Sequence, residues 1–196
     1  IAALAFGTRT IPPVEKIAGP GNLFVMLAKR AVFGHVDIDM LAGPSEVLII
    51  ADDSADPSFV AADMLAQAEH DVLASCVLVS TSRALARKVA AALQRQSLTL
   101  PRYEIAAASL RDWGLILVAR GRKQAVAVAN MLAPEHLEIM ARNARALVPQ
   151  VTTAGAIFLG PYSPTSVGDY VAGPSHVLPT GGSGRAFSGL GVEDFI

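Results

Sequence analysis

The chain has 196 residues, 52% of them hydrophobic and 17% charged, with a mean hydropathy of +0.44, which is ample core for one large domain or one domain with an appendage. The formal charge is −1 with Lys and Arg scattered, so no concentrated positive field favours nucleic acid. The apolar runs of about 4 to 8 residues fall far short of the roughly 20 a membrane helix needs. With no leader-like opening, the chain reads as a soluble cytoplasmic protein that binds neither nucleic acid nor membrane. Its single cysteine, Cys76, cannot form an internal disulfide or a thiolate cluster, and reads as buried strand filler.

The chain opens on Ile1-Ala-Ala-Leu-Ala-Phe6 without an initiator methionine and reads as a stretch that begins mid-fold. Gly19-Pro-Gly21-Asn22 precedes a predicted helix from Leu23 to Phe33, whose first amides suit a phosphate or carboxylate. Neither GxGxxG nor GxxxxGK[ST] occurs, so the usual dinucleotide fingerprint and P-loop are absent.

Val47-Leu-Ile-Ile-Ala51 has the continuous apolar character of a strand buried on both faces. Asp56 as N-cap and Pro57 in the first turn start a helix to about Asp71, with Phe59, Val60, Met64, Leu65 and Ala68 on its apolar face. A strand from Ala74 to Val79, the cap cluster Ser80-Thr-Ser82 and a helix from Arg83 to Gln96 complete a strand–helix–strand–helix unit. After a loop around Leu100-Pro101, Gly114 to Ala119 reads as another buried strand, and Lys123 to Met131 as a helix that ends near Pro134. Ala156 to Leu159 is a further strand, and Gly160 to Gly191 is mostly loop, where side chains tend to be presented. The class is α/β: incomplete Rossmann-like layers, with a mainly parallel sheet flanked by helices.

Polar residues that carry chemistry stand out against this apolar background. Gln67 and His70 are three apart on the predicted helix and project from one face within reach of one point. The pair reads either as two metal ligands or as a solvated helical face. A neutral Gln oxygen with a His and an Asp would hold Zn²⁺ less tightly than a Cys-rich structural site, which suits positioning a substrate. Glu135 and His136 follow Pro134 and precede Leu137 and Ile139 in an alternating pattern. They read as two separate proton-transfer groups at one substrate, or as a capping Glu beside a core-edge His. Asp169 and His176 lie in a glycine-rich stretch that lets backbone approach a ligand, or Asp169 simply stabilises a turn. Ser45 and Glu46 before a strand read equally as polar turn punctuation.

Five stretches taken in order are more specific. Gly19-Pro-Gly-Asn22, Asp39-Met-Leu-Ala-Gly-Pro-Ser-Glu46, Ala66-Gln-Ala-Glu-His-Asp71, Ala133-Pro-Glu-His-Leu-Glu138 and Gly168-Asp-Tyr-Val-Ala-Gly-Pro-Ser-His-Val-Leu-Pro-Thr180 closely resemble the central region of the histidinol dehydrogenases. The resemblance is colinear over nearly the whole chain. It implies oxidation of L-histidinol to L-histidine through the aldehyde, in histidine biosynthesis, with NAD as oxidant and one Zn²⁺ holding the substrate. By the same resemblance Gln67, His70 and Asp169 match zinc ligands, and His136 matches the base for alcohol oxidation. Glu135 matches the group that activates water, Ser45 and His176 match substrate contacts, and Asn22 matches a position near the dinucleotide.

The resemblance also implies a homodimer and a division of the chain. Residues 1–45 would end a smaller Rossmann-like domain on the dinucleotide side, 46–181 form the main α/β catalytic domain, and 182–196 begin a C-terminal extension. Family members are about twice this length, and their tail supplies a further zinc-ligand histidine and a substrate glutamate. This chain alone is therefore expected to hold zinc weakly and turn over little. Its alternatives are a related dehydrogenase of another small polar alcohol and a non-catalytic metal-binding fragment.

Overall fold

The computed structural model describes residues 1–196, apart from the side chain of Asp169. The N-terminal stretch carries α1 (Ala2–Phe6), β1 (Lys16–Ile17), α2 (Leu23–Val32) and β2 (Asp37–Ile38), with β1 and β2 paired in parallel. Ala5, Ile17, Val32 and Val36 form a small core of their own. A buried ion pair secures the turn before α2: Lys29 Nζ donates to Asp39 Oδ1 and to the Gly19 carbonyl, both at 2.5 Å, and the Gly19 amide donates to Asp39 Oδ2 at 2.7 Å. Two buried charges are tolerable here because each finds a partner and further hydrogen bonds.

The remaining strands are β3 (Glu46–Ala51), β4 (Ser75–Ser80), β5 (Gly114–Val118), β6 (His136–Met140) and β7 (Ala156–Leu159). They form one five-stranded parallel sheet in the order β5-β4-β3-β6-β7. The helices α3 (Pro57–Ala68), α4 (Arg83–Ser97) and α5 (Tyr103–Trp113) supply the core on one face, against Val47, Ile49, Ala51, Cys76 and Leu78. On the other face α6 (Arg122–Leu132) and a 3₁₀ turn over Ala144–Gln150 pack on Leu48, Ile50, Val77, Val79, Leu137 and Ile139. Successive strand residues point to opposite layers, and both layers are packed, so Val47–Ala51 and Cys76–Val79 are apolar throughout, whereas β6 carries the buried polar residues His136 and Glu138. Cys76 is strand filler as expected, and burial pushes its thiol up to about 12.

The predicted caps are in place. Asp56 accepts from the Ser58 amide at 2.7 Å to start α3, and Ser82 accepts from Leu85 at 3.2 Å to start α4. Other expectations are revised. Helix α3 stops at Ala68, and His70 lies in the turn beyond it, its amide donating to the Gln67 carbonyl at 3.1 Å. Gln67 and His70 therefore do not share a helical face. Helix α5 occupies a stretch to which the sequence reading assigned no element; beyond Pro101 the chain is Ala-rich, and Ala106 and Ser109 are buried against the sheet. Strand β5 pairs only with β4, so it is a partly exposed edge strand where a buried one was predicted. The pattern after Glu135 belongs to β6, which is buried on both faces and does not alternate in exposure. In the Gly160–Gly191 stretch the chain forms a short helix, α7 (Ser166–Tyr170), which includes position 169. None of the described helices is long and apolar enough to cross a membrane.

The sheet order reverses between β3 and β6, and at the carboxyl ends of open α/β sheets such a switch point is the usual place for a ligand. Here the buried Asp52 sits at that end. It accepts from Ser54 and Arg142 amides and from the Arg122 guanidinium, each at 3.0 Å. The candidate site lies instead at the amino ends of the same strands.

A core truncation tests this packing. Ile49 is fully buried between β4 and β6, so Ile49→Ala is expected to cost about 2–5 kcal/mol. Urea unfolding should show a lower midpoint at an unchanged slope.

Candidate active site at the amino ends of the sheet

The parallel register places Val47 of β3 opposite His136 of β6, so the residues entering these two strands are neighbours. The chain reaches β6 by a sharp turn. Helix α6 ends at Ala133, which takes a left-handed conformation at φ 51°, and Pro134 prevents the helix from continuing. Glu135 is thereby buried at the mouth of the strand. Gly155, entering β7, lies so close that a Cβ there would be 2.7 Å from the Glu135 carbonyl oxygen. Glycine at this position lets the third strand approach.

Glu46 and Glu135 clasp each other. The Glu46 amide donates to Glu135 Oε2 at 3.0 Å, and the Glu135 amide donates to Glu46 Oε2 at 3.3 Å. The Gly181 amide adds a bond to Glu46 Oε1 at 3.2 Å. Burial raises the pKa of Glu46, while the Glu135 and Gly181 amides oppose the rise.

His136, only 3% exposed, is oriented by the same residue. Its Nδ1 is 2.9 Å from the Glu46 carbonyl oxygen. A carbonyl only accepts, so Nδ1 carries the hydrogen, and in the neutral ring Nε2 is the basic nitrogen. Glu135 Oε2 is 3.5 Å from Nδ1. His136 Nε2 is 3.0 Å from His176 Nε2, with the rings stacked at 4.9 Å and 26°. Gly168 makes room for this arrangement, since a Cβ there would be 3.0 Å from His176 Nδ1 and 3.1 Å from Phe158.

Glu135, His136 and His176 line a cavity of about 740 Å³, whose wall also includes Asn22, Ser45, Gln67 and His70. All the sequence-predicted site residues with described side chains therefore share one cavity. Asp169 is in α7, and its expected role lies outside the described side chains. Asn22 takes its place as the N-cap of α2, with Oδ1 accepting from Phe24 and Val25, each at 3.1 Å. Gln67 is buried at 6% exposure, whereas His70 is exposed at the cavity wall.

Among the described residues, no group of three or more His, Cys, Asp and Glu stands together as a metal site. Gln67 is not one of those residue types, and the Asp169 side chain is outside the described set. The described part of the expected zinc set is thus a carboxamide and an imidazole on one cavity wall, oxygen and nitrogen donors of the kind zinc accepts.

Sequence reading missed two residues here. Glu46 was open to interpretation as turn punctuation; its role as a clasp depends on a strand ninety positions away. Glu138 was visible as a lone carboxylate inside the apolar run of β6 and is only 1% exposed. Its Oε1 accepts from the Thr165 amide at 3.1 Å. Burial first, and then the neighbouring Asp63 carboxyl, pushes Glu138 up to about 9.

The sheet order, the helical layers and this constellation define an α/β protein with a cavity lined by carboxyl and imidazole groups at the amino edge of a parallel sheet. The family model for histidinol dehydrogenase matches residues 1–196, and the chain belongs to that family. It is 59% identical to histidinol dehydrogenase of Halalkalibacterium halodurans over 196 residues, covering 100% of this chain and 46% of the relative. The Bacillus subtilis enzyme is 60% identical over 195 residues, again covering 46% of the relative. The chain thus spans less than half the length of these relatives. Histidinol dehydrogenase from Elizabethkingia anophelis superposes with a TM-score of 0.95 at 41% identity, covering 98% of this chain and 45% of that one. Gamma-glutamyl phosphate reductase from Thermotoga maritima superposes at 0.57 with 13% identity over 94% of this chain and 52% of its own, a likeness of fold alone.

The proton held by Glu138 should be visible in stability. Its pKa stands at about 9 in the folded protein, above the ordinary 4.5, so the folded state binds this proton more tightly than the unfolded state. Its contribution is complete below about pH 4.5 and is lost as pH rises towards 9. Glu138→Gln keeps the shape without the titration. The melting temperature should fall less between neutral pH and about pH 9 in the variant than in the parent, and equal slopes would contradict the assignment.

Proposed function

We propose that this chain forms the catalytic core of an NAD-dependent dehydrogenase that oxidises L-histidinol to L-histidine through histidinal. The observation that carries this reading is His136: its Nδ1 is committed to the Glu46 carbonyl, leaving Nε2 as the base at a cavity that also contains Gln67, His70 and Glu135. Membership of the histidinol dehydrogenase family supports the substrate and the pathway. Gln67, His70 and Asp169 would hold one Zn²⁺, and residues 1–45 with Asn22 would form the dinucleotide side. Residues 46–181 would carry the chemistry, and the complete protein would act as a homodimer. When bound, zinc supplies a template that fixes the substrate, and NAD supplies the hydride acceptor.

In the alcohol step His136 Nε2 removes the hydroxyl proton as hydride leaves the carbon. The resulting imidazolium is stabilised by the Glu46 carbonyl at 2.9 Å and the Glu135 carboxylate at 3.5 Å, both on the Nδ1 side. In the aldehyde step Glu135 takes a proton from the water that adds to the carbonyl carbon, and the hydrate so formed would give up its hydride to a second NAD⁺ to leave the carboxylate. Its carboxylate is positioned by the Glu46 amide, so it stays at the cavity wall while exchanging protons. Ser45 and His176 hold the polar ends of the substrate.

The complete protein is expected to reduce NAD⁺ when given L-histidinol, followed at the NADH absorbance. Absence of histidinol-dependent NADH from zinc-loaded protein would refute the substrate. The half-reactions separate the two proton-transfer groups. His136→Asn should mainly slow oxidation of the alcohol, and Glu135→Gln mainly oxidation of supplied histidinal, each by about 10²–10⁴-fold. Equal losses in both steps would contradict this division.

A further inference from the structure

Glu138 is buried beside the site, and the proposed chemistry does not use it. It lies two residues beyond His136 in β6, so both side chains leave the strand on the same face, with Met140 next in the row. Met140 packs in the core shared with α3, which places this row under that helix. On α3, Asp63 and Gln67 are four apart and occupy one helical face. Glu138 Oε1 accepts from Thr165, the residue that precedes α7 and the position of Asp169. Glu138 Oε2 is fully buried and has no hydrogen-bond partner among the described residues, while the Asp63 carboxyl acts on it directly.

We propose that the Asp63–Glu138 carboxyl pair is a positioning device that locks Thr165, and with it the helix bearing Asp169, to the helix bearing Gln67. A proton on Glu138 Oε2, directed at Asp63, turns an orphan acceptor into a donor and removes the repulsion between the buried Glu138 and the half-buried Asp63. The other oxygen remains free to hold the Thr165 amide. One side chain of β6 then sets the spacing between two segments that approach the cavity from different parts of the chain. The pair is a positioning element and touches no substrate.

This inference rests on the zinc reading given above, and the experiment separates the two. Zinc affinity of the complete protein is measured by competition with a chromophoric chelator for the parent, His70→Asn, Glu138→Gln, Thr165→Pro and the double variant Asp63→Ala/Glu138→Met. Amide hydrogen exchange over residues 166–172 is measured in the metal-free forms. Thr165 has φ −55°, which proline adopts, so Thr165→Pro removes the amide donor and leaves the core intact. The double variant removes both carboxyls of the pair without leaving either one unpaired.

Glu138→Gln should bind zinc within about twofold of the parent, because its amide donates to Asp63 and its oxygen accepts from Thr165. Thr165→Pro and the double variant should bind about 10–100-fold more weakly, the usual effect of losing a support behind a metal ligand, and exchange faster over 166–172. Parent-like affinity and exchange in both would overturn the positioning role, as would a loss in Glu138→Gln as large as theirs. If the double variant does not fold, Thr165→Pro decides the question. If His70→Asn binds zinc as tightly as the parent, the zinc reading fails. The exchange data then decide whether the lock exists without it.

Discussion

Parallel pairing of β3 with β6 sets Val47 opposite His136, and the site is built on that register. It brings the Glu46 carbonyl to His136 Nδ1 and allows the amides and carboxylates of Glu46 and Glu135 to bond reciprocally. A slip of one residue would turn every side chain of β6 to the opposite layer, putting His136 and Glu138 under α6 and Leu137 and Ile139 under α3. The apolar faces on both sides of the sheet prevent such a slip. The cost of disturbing the core is therefore also the cost of losing the orientation of the base.

The position of the site follows from how the two edges of the sheet are used. At the carboxyl ends the switch point is taken by Asp52, held by Arg122, Ser54 and the Arg142 amide. At the amino ends, strands begin with Glu46 and His136, and the polar turns before them face a cavity. The buried Lys29–Asp39 pair steadies the Gly19–Gly21 turn, and Asn22 caps the helix that follows at the same cavity. The N-terminal stretch thus closes one side of a site whose chemistry lies on the main sheet.

Two buried carboxyl groups, Glu135 and Glu138, and the half-buried Glu46 lie at or near this edge, and each is accommodated differently. Glu135 accepts an amide proton beside an imidazole, Glu46 accepts two amide protons, and Glu138 retains its own proton beside Asp63. Leaving all three as bare carboxylates here would be prohibitive. The arrangement holds Glu135 at the cavity wall and favours the protonated form of Glu138.

Much of the layer structure was legible along the chain. The continuous apolar run at Val47–Ala51, the strand expected over Ala74–Val79, the caps at Asp56 and Ser82, and the stop at Pro134 depend on neighbouring residues, and local physics reaches that far. The motif order also pointed to one family and to Asn22, Ser45, Gln67, His70, Glu135, His136 and His176, which share one cavity. Helix α5, the exposure of β5 and the end of α3 at Ala68 were not legible, because each is settled by what packs beside it. The same holds for Glu46 and Glu138. Residue type and local pattern determined which groups could do chemistry, whereas only the tertiary structure decided which nitrogen of His136 faces a carbonyl and which carboxyl is pushed towards its protonated form. Those features depend on a carbonyl, an amide and a second carboxyl brought together from distant parts of the chain.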